Sequence, residues 1–290
     1  MTRRSLLAGA VAVALAAGLS LVGHASADDA DGAGRAAQRY VALGDSYTSS
    51  PLTGAPAGIP LGCLRSVNNY PHLVAERTGA QLTDVSCSGA RSRDFASAQA
   101  VRGGSNPPQY EALTTDTQVV SVGIGGNDIG FGDIVRDCVS PLPFGTPCRD
   151  RYSGTLEPRI DALQATLEGV LGEVRDRAPT ARVLLVGYPQ ILPADGLGCY
   201  PVVPYTPGDV AYLRGILERL NGVVRAAASG GGARFVDTAA PTVGHDVCTP
   251  PGTKWIEGLV PTAPAAPVHP NARGAQALAD AVQAAFGSSA

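Results

Sequence analysis

With 290 residues, 44% of them hydrophobic and 16% charged, the chain is long enough for one large α/β domain or two small ones and too apolar for disorder. Its net charge of −3, with no cluster of Lys and Arg beyond the N-terminus, supplies no basic field, so nucleic acid is excluded as a partner.

The first segment reads as an address. Arg3-Arg4 precede an apolar stretch over 6–22, and Ala25-Ser26-Ala27 forms a small-residue cleavage site before Asp28-Asp29. A membrane anchor is disfavoured, because the stretch is rich in Ala and Gly and broken by Gly9, Gly18 and Gly23. Residues 1–27 are therefore expected to be the signal peptide of a secreted protein. The Arg pair fits twin-arginine export, and the general route stays open beside it. A short polar leader, 28–37, then precedes a single domain over 38–290.

That domain opens on Tyr40-Val41-Ala42-Leu43, an apolar run that ends in Gly44-Asp45-Ser46. A buried parallel strand has this composition, and open α/β sheets bind ligands at the loops leaving their C-terminal strand ends. Ser46 is thus a candidate nucleophile, although Gly-Asp-Ser also fits a plain turn. A Pro- and Gly-rich loop (51–62) follows, then a short helix over 70–77 with Pro71 in its first turn and Gly79 at its end. The second strand, 82–87, alternates and runs into Ser88-Gly89-Ala90-Arg91. Residues 92–115 are expected to hold a helical piece and a Gly/Pro-rich loop at 103–108. The third strand, 118–124, empties into Gly125-Gly126-Asn127-Asp128.

A helix begins over 129–135, before a Pro-rich excursion at 138–148. Ile160, Leu163, Leu167, Val170, Leu171 and Val174 mark one face of a long helix over 158–177. A fourth strand (182–189), a helix (209–228), a fifth strand (234–238) and a closing helix (274–286) complete the chain. Pro267-Val268-His269-Pro270-Asn271 stands just before the last helix. Strands that alternate with helices imply a single α/β domain, its five parallel strands covered on both faces by right-handed crossovers.

Six cysteines lie in the domain: Cys63, Cys87, Cys138, Cys148, Cys199 and Cys248. An even number in an exported chain implies disulfides, with fifteen connectivities open. Chain order suggests 63–87, 138–148 and 199–248, since the first two close loops of modest length. No Cys-x-x-Cys or helical His pair occurs, so no metal is expected. No phosphate- or dinucleotide-binding glycine pattern follows the first strand, and no cofactor is expected.

Ser46, Gly89 and Asn127 each follow a separate strand end, and such ends share one edge of a parallel sheet. With His269 they supply a hydroxyl nucleophile, an imidazole base and donors for an oxyanion, the set that acyl transfer to water needs. Gly44-Asp45-Ser46, Gly89, Gly125-Gly126-Asn127-Asp128 and His269-Pro270, in that order, resemble the SGNH hydrolase family (the GDSL lipases and esterases), in its secreted actinobacterial lipase branch. The resemblance implies a three-layer α/β/α, flavodoxin-like sheet with strand order 2-1-3-4-5, and its six-cysteine layout supports the consecutive disulfide pairing. It further implies that Ser46 attacks the ester carbonyl and His269 moves the proton. The N–H groups of Ser46 and Gly89 and the Asn127 amide would bind the oxyanion.

One position departs from the family. Its usual Asp, three residues before the His, is replaced by Ala266. Some actinobacterial relatives use a backbone carbonyl instead, so the carbonyl of Ala266 or Pro267 is expected to orient His269, with a distant Asp such as Asp246 as the alternative. His72 and His245 are rival bases; the first reads as a solvated helix residue, the second as part of a disulfide-pinned loop. Asp45 and Asp128 are read as turn and cap residues. The expected activity is a secreted ester hydrolase on lipid esters, monomeric and in transient contact with lipid surfaces. Its loops 51–62, 103–108 and 138–148 would shape the acyl groove. A carbohydrate acetyl esterase on the same site and a non-catalytic secreted binding domain are the alternatives.

Overall fold

A computed structural model describes residues 37–287. The expected signal peptide, the leader up to residue 36, and residues 288–290 lie outside the described residues.

The strands in chain order are β1 (Arg39–Gly44), β2 (Gln81–Asp84), β3 (Gln99–Val101), β4 (Gly104–Asn106), β5 (Val119–Gly123), β6 (Arg182–Val186) and β7 (Arg234–Val236). Five of them form one sheet in the order β2-β1-β5-β6-β7, every pair parallel, while β3 and β4 make a separate hairpin. Counted without the hairpin, the order is 2-1-3-4-5.

The central strands β1, β5 and β6 are buried on both faces, which is why they are nearly continuous apolar runs, whereas the edge strand β2 alternates. Tyr40 and Ala42 of β1 pack on one side with α2 (Tyr70–Thr78) and α7 (Ala272–Phe286). Val41 and Leu43 face the other side, with α5 (Leu156–Arg177) and α6 (Pro207–Gly230). Leu167 of α5 is fully buried there, and truncating such a side chain to Ala costs about 2–5 kcal/mol. The remaining helices are short: α1 (Ser46–Ser49), α3 (Phe131–Asp137) and α4 (Pro147–Tyr152).

Register decides where the loops emerge. Gly44 pairs with Gly123, so β1 and β5 end level and the segments after them leave side by side. A Cβ on Gly44 would sit 2.2 Å from Thr48 Oγ1 and 2.7 Å from the Gly123 carbonyl, so only glycine permits that closeness. The second strand is shorter than its alternation implies, but the N–H groups of Val85 and Cys87 still reach the Ala42 and Gly44 carbonyls.

The helix-like piece expected in 92–115 takes the form of 3₁₀ turns and not of an α-helix. A 3₁₀ turn (Ser92–Phe95), the β3–β4 hairpin and a second 3₁₀ turn (Gln109–Ala112) occupy it. Gln99 donates to the Ser88 carbonyl and Asn106 to that of Val85, which holds the segment extended, and Pro107-Pro108 block helix continuation. The disulfides are Cys63–Cys87, Cys138–Cys148 and Cys199–Cys248.

Candidate active site

The site is assembled from the segments that leave the C-terminal edge of the sheet. Asp45 caps α1: its side chain accepts the Tyr47 N–H at 2.9 Å, while its own N–H donates to the Gly123 carbonyl at 2.9 Å. Ser46 is the first residue of that helix, so its N–H has no carbonyl within the helix to meet. Ser46 Oγ lies 2.7 Å from His269 Nε2, across 223 positions of sequence.

His269 Nδ1 lies 2.7 Å from the Pro267 carbonyl. Of the two carbonyls expected as orienters, Pro267 alone meets the ring; that of Ala266 accepts the backbone N–H of His269 instead, at 3.2 Å. The reason is local: Val268 adopts φ +61°, a left-handed turn that carries the Pro267 oxygen back toward the imidazole. The turn is tied on several sides. Tyr47 Oη donates to the Val268 carbonyl at 2.7 Å, Val268 N–H to Gly258 at 3.3 Å, and Glu257 N–H to the His269 carbonyl at 3.0 Å. Ala266 N–H reaches back to the Pro51 carbonyl at 3.0 Å.

Burial lowers the His269 pKa from its ordinary value, against the opposing pull of the Pro267 carbonyl. Among the described residues, no carboxylate hydrogen-bonds the ring. The Asp246 side chain accepts the Cys248 N–H at 2.9 Å, and the distant-Asp alternative is not realised. The rival histidines are elsewhere: His72 Nδ1 meets Asn69 Oδ1 at 2.7 Å on α2, and His245 bonds the Thr253 carbonyl while its ring stacks on Trp255.

The oxyanion candidates are linked to α1 by hydrogen bonds. Ser49 and Ser88 share one at 3.0 Å, which holds the turn containing Gly89, itself at φ +80°. Asn127 Nδ2 donates to the Ala90 carbonyl at 2.9 Å, so the amide is fixed against the same turn. Gly125, at φ +123°, allows the bend that delivers Asn127, and a Cβ there would meet Leu163 at 2.8 Å. Asp128 accepts from Ser92 N–H and Ser92 Oγ, the turn role expected of it.

Sequence reasoning missed three side chains. Tyr188 donates to Asp45 Oδ2 and accepts the Gly126 N–H, both at 2.7 Å, joining the β1 and β5 loops. It follows the end of β6, the same positional signal that marked the others. Burial pushes the Asp45 carboxyl up to about 7, against the hydrogen bonds from Tyr188 and the Tyr47 N–H. Tyr47 stacks on His269 with ring centroids 4.9 Å apart and planes at 26°. Glu257, fully buried, accepts from Asn271 Nδ2 and from the Thr262 N–H and hydroxyl. Burial alone would raise its carboxyl, but those hydrogen bonds hold it below the usual range.

An apolar cavity of about 60 Å³ adjoins the site, walled by Ile129, Phe131 and Ile134, by Ile191 and Leu192, by α6 residues such as Leu213 and Leu217, and by Val268. Its one polar group, the Tyr205 hydroxyl, is already bonded to the Val135 carbonyl at 2.9 Å. None of the loops 51–62, 103–108 and 138–148 lines this cavity; residues 59–62, 103–105 and 107 line a separate pocket. Among the described residues, no group of three or more His, Cys, Asp or Glu side chains could hold a metal ion.

The model of the GDSL-like Lipase/Acylhydrolase family matches residues 42–277. Lipase 2 of Streptomyces coelicolor is 45% identical over 251 residues, 83% of either chain. Phospholipase A1 from Streptomyces albidoflavus has a crystal structure with TM-score 0.73 and 30% identity, covering 86% of this chain and 99% of that one. An extracellular lipase from Streptomyces rimosus gives 0.71 and 30%, over 86% and 100%. Matched from the first strand to the last helix, the chain belongs to the GDSL-like lipase/acylhydrolase family and is a hydrolase acting on esters.

Proposed function

We propose that the chain is a secreted lipase or esterase that cleaves lipid esters through a Ser46–His269 dyad, with the Pro267 carbonyl in the place of a triad carboxylate. The observation that carries this reading is the single line of contacts from Ser46 Oγ through Nε2 and Nδ1 to the Pro267 oxygen, each 2.7 Å long. A proton on Nδ1, held by that carbonyl, leaves Nε2 free to accept the serine proton.

Nε2 takes that proton as Oγ attacks the ester carbonyl carbon. The resulting oxyanion is met by the N–H groups of Ser46 and Gly89 and by Asn127 Nδ2. As the tetrahedral adduct collapses, the imidazolium returns its proton to the departing alkoxide, leaving the acyl group on Oγ. Water, deprotonated by His269, then attacks the acyl carbon, and the second collapse releases the acid and restores Ser46 Oγ–H.

A lipid acyl chain is favoured over an acetylated sugar by the cavity next to Val268 and Phe131, whose walls offer hydrocarbon contact and no free polar group. Secretion is supported by the three disulfides, which persist in oxidising compartments. The test is a burst of p-nitrophenol from p-nitrophenyl esters of increasing chain length. The reading expects a burst that Ser46→Ala abolishes and a kcat/KM that rises from acetate to octanoate. A burst that persists in Ser46→Ala, or a preference for acetylated xylan over every acyl ester, overturns it.

A further inference from the structure

We propose that Tyr47 is a positioning residue for His269, its hydroxyl anchoring the turn that presents the Pro267 carbonyl and its ring fixing the plane of the imidazole. The proposal rests on the reading that Ser46 and His269 carry the reaction.

A backbone carbonyl two residues upstream can reach an imidazole only if the chain doubles back between them. Val268 makes that turn at φ +61°, a conformation that β-branched residues avoid and that persists only where its surroundings enforce it. Left to itself, the segment would relax toward an extended form and carry the Pro267 oxygen away from Nδ1. The N–H groups of Val268 and His269 donate over 3.3 and 3.2 Å, and the His269 carbonyl accepts from Glu257 N–H at 3.0 Å. The Tyr47 hydroxyl, buried and 2.7 Å from the Val268 carbonyl, is the short bond that grips the turned residue itself.

The same side chain acts on the ring. Tyr47 stacks on the imidazole, and its own plane is fixed by edge contacts with Tyr188 at 5.1 Å and Phe131 at 5.7 Å. An imidazole packed on a wedged ring cannot swing away from Ser46. A π face beside it also favours the imidazolium over the neutral ring, and the imidazolium forms only as Ser46 loses its proton. The charge that an Asp would supply is thereby replaced in part by an aromatic quadrupole.

Chain connectivity makes the device compact. Ser46 offers the nucleophile, and the next residue reaches the base and its support. One dipeptide, capped by Asp45, therefore sets the separation of Oγ from Nε2. Neither a core role for Tyr47 nor its place beside the serine requires a hydroxyl aimed at the Val268 carbonyl.

The test compares Tyr47→Phe, which keeps the ring and loses the donor, with Tyr47→Leu, which loses both. Each is made in the parent and in a His269→Ala background. The readouts are kcat and KM for a p-nitrophenyl ester and the second-order rate of Ser46 phosphorylation by diethyl p-nitrophenyl phosphate, which releases p-nitrophenolate, with melting temperature as the folding control. The expected result is a kcat about tenfold lower in Tyr47→Phe and about a hundredfold lower in Tyr47→Leu, with KM within about twofold. Phosphorylation should fall in parallel. In the His269→Ala background both changes should shrink to within about twofold, because nothing is left for Tyr47 to position. Equal losses in the two backgrounds, or an unchanged kcat in Tyr47→Phe, overturn the proposal. Should Tyr47→Leu fail to fold, Tyr47→Phe decides alone. Turnover that survives Ser46→Ala overturns the underlying hydrolase reading instead, which separates the two failures.

Discussion

The Pro267 carbonyl and His269 Nδ1, two residues apart in the chain, meet at 2.7 Å and fill the position that a carboxylate occupies in a Ser–His–Asp triad. A neutral acceptor fixes the tautomer as a carboxylate would, but it adds no charge. Asp246 accepts the Cys248 N–H. Asp246→Asn keeps an oxygen to accept that N–H, so kcat should stay within about threefold of the parent. A loss of about 10⁴, the size found when a triad Asp is neutralised, would transfer the orienting role from Pro267 to Asp246.

The missing charge has a consequence for pH. A carboxylate partner would hold the imidazolium and raise the pKa of His269; burial instead lowers it from 6.5. The neutral imidazole is the working form, so activity is lost as pH falls through that depressed value. The acid limb of kcat/KM, which reports the free enzyme, should have its midpoint below pH 6.5. A profile measured from pH 4 to 9 with the limb centred above that value would require an anionic partner on the ring.

Asn127 gives the third expectation. Its amide is held by the Ala90 carbonyl, beside the turn that carries Gly89. A donor already in place stabilises the oxyanion without reorganising, and such donors are worth about 10²–10³ in turnover. Asn127→Ala should lower kcat by that factor with little change in KM. Equal changes in kcat and KM, or none, would remove Asn127 from the oxyanion site.

What can be read in the sequence, and what cannot, follows from how each residue announces itself. Ser46, Gly89 and Asn127 stand in small polar turns that interrupt apolar strands, and parallel topology obliges those turns to share an edge. Tyr47 and Tyr188 are illegible because an aromatic residue next to a strand end reads as core, which both also are. The Pro- and Gly-rich loops at 59–62 and 103–107 do line a pocket of their own, while Leu213 and Leu217 of α6 wall the apolar cavity. Their helical spacing is the same for packing against a sheet and for lining a space. The hairpin over 99–106 escapes a sequence reading because long-range hydrogen bonds from Gln99 and Asn106 hold it, and no local periodicity records them.

Asp45 makes the last prediction, and it concerns stability. Its carboxyl is buried, joins α1 to Tyr188, and has its pKa raised from 3.8 to about 7. A group that binds its proton more tightly when folded stabilises the fold fully below its unfolded pKa. That contribution is lost as pH rises through the folded value. Between about pH 4 and 7 this residue should therefore cost the protein stability with rising pH, at up to about 1.4 kcal/mol per pH unit. In Asp45→Asn that component disappears, while the amide oxygen can still accept the Tyr47 N–H. The variant carries its own penalty: Tyr188 already accepts from Gly126, and its hydroxyl proton loses the carboxyl oxygen it donates to at a buried site, a cost of about 1–3 kcal/mol. Urea unfolding of both proteins at intervals from pH 4.5 to 7.5 checks the sign. The stability of the parent minus that of the variant should fall steadily as pH rises, passing through zero if the penalty is small, and a difference that rises would mean Asp45 is held ionised by its two donors.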